Sequence, residues 1–187
     1  MALIAPFRKE CQGMGHPPNK SANGGHRLVL ECGTVESCIR LDEVSIFNHK
    51  LRFLIPHDWV EGEGGDDTYL YHAPGAESGW LRASLITAEA ADPTERLQAL
   101  FPITDSLLIN ETNGNRVQRS EKKPDEDGSD LHIYIWIVGN VVMPNRVFEA
   151  VFSYTILAEK INDRETQQVV KLLEELVLQV VFSNGLQ

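Results

Sequence analysis

Two long alternating runs in the C-terminal third constrain this chain more than any other feature. Residues 131–138 read Leu-His-Ile-Tyr-Ile-Trp-Ile-Val. In an extended strand that puts Leu131, Ile133, Ile135 and Ile137 on one face and His132, Tyr134 and Trp136 on the other. Residues 139–145 turn the chain, and residues 147–157 run back with Phe148, Ala150, Phe152, Tyr154 and Ile156 on one face. Strands this close in sequence pair antiparallel. A chain with such a hairpin must build a sheet around it and cover at least one side.

The upstream residues supply the remaining strands. Leu-Arg-Phe-Leu-Ile at 51–55 stops at Pro56 and enters the turn Pro-His-Asp-Trp at 56–59. A glycine-rich connection at 61–67 leads to a strand at 68–72, closed by Ala-Pro-Gly. Residues 80–87 form a third strand, with Leu81, Ala83 and Leu85 on one face and Arg82 and Ser84 on the other. Residues 115–122 make a polar strand at or near an edge, followed by an acidic hairpin-type turn at 124–128.

Two helices are expected. Asp92 can cap the first, Pro93 at its first position loses no hydrogen bond, and Glu95 suits the positive helix end, with the helix ending near Phe101-Pro102. The second, about five turns long, is capped by Asn162 or Asp163, with Glu165 at capping-box distance from Asn162. Its stripe of Val169, Val170, Leu173, Leu176, Val177 and Val180 must pack on the sheet. The fold class is therefore α+β: an antiparallel sheet of about six strands with a short helix and a long C-terminal helix packed on it.

Charge divides the chain. Residues 1–45 carry five basic and five acidic side chains, so the net charge of −10 belongs entirely to residues 46–187. Such a domain repels a phosphate backbone and an anionic bilayer, which excludes nucleic acid and membrane surfaces as partners and suits a basic protein through steering. Gly13, Gly15, Pro17, Pro18, Asn19, Asn23, Gly24 and Gly25 mark residues 1–45 as a flexible or poorly ordered extension. Residues 46–187 are the single α+β domain. All three cysteines, Cys11, Cys32 and Cys38, lie in the extension, so the domain needs no disulfide and fits the cytoplasm. Cys11, His16, His26, Cys32 and Cys38 lack the close cysteine pairing of a zinc site, and Glu61, Glu63, Asp66 and Asp67 lack the terminal bidentate Glu of a calcium loop. No metal and no cofactor is expected.

The layout resembles a known fold. A strand ending in an Ile-Pro-x-x-Trp turn at 51–59, Thr-Tyr-Leu-Tyr-His-Ala-Pro at 68–74, the run at 80–88 and Val-Phe-Ser-Tyr-Thr-Ile-Leu at 151–157 look like the Mog1/PsbP-like α/β sandwich. More narrowly, they are similar to small uncharacterised bacterial proteins of that shape. The resemblance covers about residues 46–183 and includes no catalytic signature. It implies a binding or assembly role.

No Gly-x-Ser-x-Gly elbow, P-loop or dinucleotide fingerprint is present. The candidate surface comes from the hairpin. If the aliphatic row of 131–137 faces a helix, then His132, Tyr134 and Trp136 open on the other side, joined by Arg82, Ser84, Glu149 and Ser153. A mixed aromatic and polar face of that kind holds a ligand or a protein. The competing reading buries this face under a loop or helix and makes His132 a structural residue. The expected function is a non-catalytic protein- or ligand-binding module. Its alternatives are a small hydrolase or isomerase using His132 with Glu149 or Arg82, and an inhibitor of a secreted toxin.

Overall fold

The computed structural model describes residues 28–29, 39–65, 67–75, 79–102, 107–109, 113–123 and 130–184. At its centre is the expected hairpin: β9 (Leu131–Met143) pairs antiparallel with β10 (Arg146–Leu157), and both strands run further than the alternation suggested. The reversal contracts to Pro144 and Asn145, with a register shift between Arg146 and Val147. Around the hairpin lies a seven-stranded antiparallel sheet in the order β4 (Val60–Gly62), β5 (Tyr69–His72), β6 (Trp80–Glu89), β10, β9, β8 (Arg116–Lys122), β7 (Leu107–Ile109).

A second sheet stands over it. Its order is β1 (Leu28–Val29), β2 (Arg40–Ile46), β3 (Leu51–Pro56), β11 (Val181–Phe182). The eleven described strands therefore exceed the six expected, and they form two sheets. The additional strands are short or polar: Arg-Leu-Asp-Glu-Val-Ser-Ile in β2 carries only three aliphatic side chains, too few for a period of two to stand out.

Strand β2 pairs with β3 along most of its length. It crosses the expected boundary at residue 46, pairing Leu41 with Pro56 through to Ile46 with Leu51. Leu41 is 1% exposed and packs with Leu54 and Leu176. Residues 40–45 are thus part of the fold. Cys11, Cys32, Cys38 and the glycine- and proline-rich stretch lie outside the described residues, as does the acidic turn at 124–128.

Helix α1 (Pro93–Leu100) starts as its sequence dictates: Asp92 Oδ1 accepts from the Glu95 N–H at 2.9 Å, with Pro93 in the first turn. Helix α2 (Arg164–Val177) has 14 residues, about four turns, and is shorter than expected because the chain leaves it after Val177 to form β11. Asp163 is its N-cap residue but makes no side-chain capping bond.

One face of the large sheet, here the inner face, meets β3 and α2. Leu51, Phe53 and Ile55 of β3, with Val170, Leu173 and Val177 of α2, close one core with Tyr71, Leu81, Ala83, Tyr134, Trp136, Phe152 and Tyr154. The outer face is covered at one end, where Leu97 and Phe101 pack on Val147 with Ile137 and Val141. This seating depends on Gly139, because a Cβ there would come within 2.2 Å of the Phe101 ring. The end of α2 is tied down by a polar knot: Asn113 and Asn115 both donate to the Val180 carbonyl, at 3.1 and 2.6 Å, and Asn140 donates to Asn115 Oδ1 at 2.7 Å. Asn115 is buried with these partners in place, so it meets the requirement that a buried amide be hydrogen-bonded.

Truncating Leu41 tests whether β2 belongs to the folding unit. Leu41→Ala should cost about 2–4 kcal/mol in denaturant unfolding, the range for a buried leucine. A change within about 0.5 kcal/mol would place β2 outside the cooperative unit.

Candidate functional site

The register decides what the six candidate residues can do together. Tyr134 pairs with Tyr154, and Trp136 with Phe152, which in turn pairs with Ala83. The row His132, Tyr134 and Trp136 therefore shares the inner face with the core, at 1%, 3% and 1% exposure. Arg82 pairs with Ser153 and Glu149 with Ile86, placing Arg82, Ser84 and Glu149 on the outer face. The expected joint patch is corrected: the sheet separates its aromatic half from its polar half. The aliphatic row Leu131, Ile133, Ile135 and Ile137 takes the outer side.

Width explains this arrangement. The inner layer must fill the space up to β3 and α2, and rings do so: Tyr134 stacks near Trp136 at 6.2 Å, and Phe53 meets Phe152 edge-on at 5.2 Å. Among the described elements, the short helix α1 packs on the outer face at one end, and shorter aliphatic side chains suffice there. The pairing of His132 with Glu149 or Arg82 also fails on geometry. His132 pairs with Ile156, while Glu149 lies seven residues along β10 and points to the other face. At ~3.3 Å per residue that is about 23 Å, far beyond hydrogen-bond reach, and Arg82 instead donates to Thr68 Oγ1 at 3.1 Å.

Three polar atoms on the inner layer are buried without a hydrogen-bond partner: Tyr71 Oη, His132 Nε2 and Trp136 Nε1. Tyr134 differs, since Gln167 of α2 donates to its hydroxyl at 3.4 Å. His132 Nε2 lies 3.6 Å from Glu121 Oε2, too far for a hydrogen bond, and its ring sits against Tyr134. Burial pushes the Tyr71 hydroxyl well above its ordinary 10.0, and the charges of Glu61 and Tyr69 add to the effect. Tyr154 is raised chiefly by burial as well.

A cleft of about 730 Å³ runs between β8 and α2. Val117, Trp136, Val177 and Leu178 supply its apolar lining, and Arg119, Glu121, Lys171, Glu174 and Glu175 its charges. Arg119 is the strut: it donates to Glu174 of α2 and, at 2.5 Å, to Glu121 of its own strand, with its guanidinium 5.6 Å from the Tyr134 ring centre. Sequence reasoning missed these residues because the strand reads as polar. The signal was the order Val117, Arg119, Glu121 at a period of two, which gives the strand an inward-facing charged row. Among the described residues, no group of three or more His, Cys, Asp or Glu side chains could hold a metal, and no helix is long and apolar enough to cross a membrane.

Comparison with known proteins bears on the fold. No family model matches the chain, and no curated protein does. A solved structure from Bacteroides thetaiotaomicron overlays with a TM-score of 0.52 at 21% identity, covering 78% of this chain and 50% of that one. The chain thus spans about half the length of that protein. The Ran-binding protein Mog1p of Saccharomyces cerevisiae matches at 0.48 and 12% identity, over 77% of this chain and 96% of its own. Cyanobacterial PsbP (CyanoP) from Synechocystis sp. matches at 0.35 and 14%, over 81% and 97%. The overlay with the Bacteroides structure, at a TM-score of 0.52, is a likeness of fold. At these identities the likeness extends to architecture alone.

Tyr71→Phe tests the orphaned hydroxyl. At pH 7 the variant should be as stable as the parent or more so, by on the order of 1 kcal/mol, because a buried unpaired group is removed. A tyrosine whose pKa is raised by folding contributes stability below its unfolded value of about 10 and loses it as pH rises beyond that. Denaturation between pH 9 and 11 should therefore show a steeper decline for the parent than for Tyr71→Phe. Equal slopes would mean that Tyr71 ionises freely in the folded state.

Proposed function

We propose that this chain is a non-catalytic binding module whose outer sheet face docks a protein partner. The observation that carries this reading is the exposure of large apolar side chains on that face. Trp80 is 44% exposed, Ile86 52% and Leu131 40%, beside half-buried Ile133, Ile135 and Val151. Several large apolar side chains left open to water on one sheet face support a reading as an interaction surface. Arg82 and Ser84 from β6 and Glu149 from β10 lie within this face and supply its polar contacts.

The partner's chemistry follows from local charge. Along β6, β10, β9 and β8 the outward positions include Arg82, Arg116 and Lys122 against one carboxylate, Glu149. Net acidity favours a basic partner at long range, but charges more than about 8 Å apart in physiological salt are largely screened. At contact the face suits an apolar segment flanked by acidic residues. The cytoplasm is the proposed compartment, since residues 46–187 contain no cysteine and need no oxidising environment.

The experiment isolates partners on the full chain and repeats the binding with the purified partner and variants. Trp80→Ser combined with Ile86→Ser, both at exposed positions, should lower affinity at least tenfold without lowering the unfolding midpoint. Arg82→Glu should weaken binding and reduce its dependence on salt. A partner that binds all variants equally, or whose cross-linked segment is basic, would remove this reading.

A further inference from the structure

The corner of the outer face formed by β4, β5 and β6 carries a nitrogen whose role the carbonyl beside it settles. His72 Nδ1 lies 2.9 Å from the Ala73 carbonyl oxygen. A carbonyl only accepts, so Nδ1 holds the proton of the neutral ring and donates it, which leaves Nε2 as a lone-pair acceptor. Among the described residues Nε2 has no hydrogen-bond partner, and it is not one of the three buried orphan atoms, so it opens to solvent. The imidazole rests against Trp80, with ring centres 4.3 Å apart and planes tilted by 42°. We propose that this corner is the anchor point of the docking face and takes a tyrosine or tryptophan side chain of the partner, its ring against Trp80 and its edge O–H or N–H donated to His72 Nε2. The inference rests on the protein-docking reading and names the chemistry of its central contact.

The corner holds the indole in place while leaving much of it open. Gly62 of β4 sits under its benzo edge, where a Cβ would come within 2.7 Å of Trp80 Cζ3. His72 pairs with Trp80 on one side and Val60 on the other, which puts all three on the outer face. Trp80 nonetheless stays 44% exposed, with Val60 at 51% beside it. An open ring held in this way favours another ring, in offset or edge-on contact. Tryptophan, tyrosine and arginine carry much of the binding energy of interfaces, and such residues pair across them. Phenylalanine would satisfy only the apolar half of this corner. An acceptor beside the indole calls for a ring with a donor at its edge, which tyrosine and tryptophan have. Arg82, two residues along β6, uses one guanidinium nitrogen on Thr68 Oγ1 at 3.1 Å. Its other nitrogens are left for the acidic residues that flank the docked segment.

The test uses the full chain labelled with ¹⁵N and a blocked pentapeptide, Glu-Leu-X-Leu-Glu, with tyrosine, O-methyltyrosine or phenylalanine at X. The indole N–H resonances of the three tryptophans, Trp59, Trp80 and Trp136, are assigned with Trp80→Phe and Trp136→Phe. The tyrosine peptide should move the Trp80 resonance and the His72 ring nitrogens in a saturable way and leave Trp136 in place. The other two peptides keep a ring and lose the donor, so each should bind about fivefold more weakly, the worth of one hydrogen bond. His72→Phe should bind all three alike at the weaker level, and Gly62→Ala, which displaces the indole, should weaken all three. No saturable shift at Trp80, or a tyrosine preference kept by a folded His72→Phe, would overturn the proposal. Equal binding of the three peptides at Trp80 would overturn the anchor and leave the docking face standing. That reading falls separately, if the isolated partner binds the combined Trp80→Ser and Ile86→Ser variant as tightly as the parent.

Discussion

The rings of Tyr134, Trp136, Phe152 and Tyr154 fill the layer between the seven-stranded sheet and the elements above it, β3 and α2. Phe53 enters from β3 against both Phe152 and Tyr71, and Trp59 stacks near Tyr154. Burying such rings removes large apolar areas from water and adds edge and stacked contacts. With this side closed, the described element on the sheet's other face is the short α1, seated over Gly139. The open aliphatic surface is therefore a consequence of where the aromatic residues went. The β8–α2 cleft borders the same layer: Trp136 is among its lining residues, while Arg119 and the asparagine knot tie α2 to the sheet.

Much of the architecture was legible in the sequence because it rests on local signals. The alternation of 131–138 and 147–157 specified the hairpin, and Asp92-Pro93 specified the start of α1. Strands such as β2, β4 and β11 were not legible. They are two to seven residues long and carry few apolar side chains, and β11 also owes its place to a partner distant in sequence, with Val181 opposite Arg52.

The orientation of β9 shows why the candidate surface was misplaced. Both of its rows are apolar, so hydrophobicity alone does not say which faces the core. The deciding information is register, and a slip of one residue exchanges the two faces of a strand. Between the runs lies a turn of seven residues by sequence, but the strands continue through most of it and shift register once near Arg146. Only with that register fixed does Trp136 fall opposite Phe152, on the row already recognisable as Ala150, Phe152 and Tyr154. Of the six candidate residues, Arg82, Ser84 and Glu149 remain on an open surface. His132, Tyr134 and Trp136 become core, with Trp136 also bordering a cleft.

Two surfaces with different chemistry thus lie on opposite sides of one sheet, and both depend on the aromatic row facing inward. Hydroxyl-radical footprinting of the native chain, read residue by residue by mass spectrometry, tests that orientation directly. Trp80 and Leu131, at 44% and 40% exposure, should be oxidised readily, while Trp136 and Tyr134, at 1% and 3%, should be protected until the protein unfolds. Ready oxidation of Trp136 and Tyr134 with protection of Leu131 in the native state would contradict the account at its base.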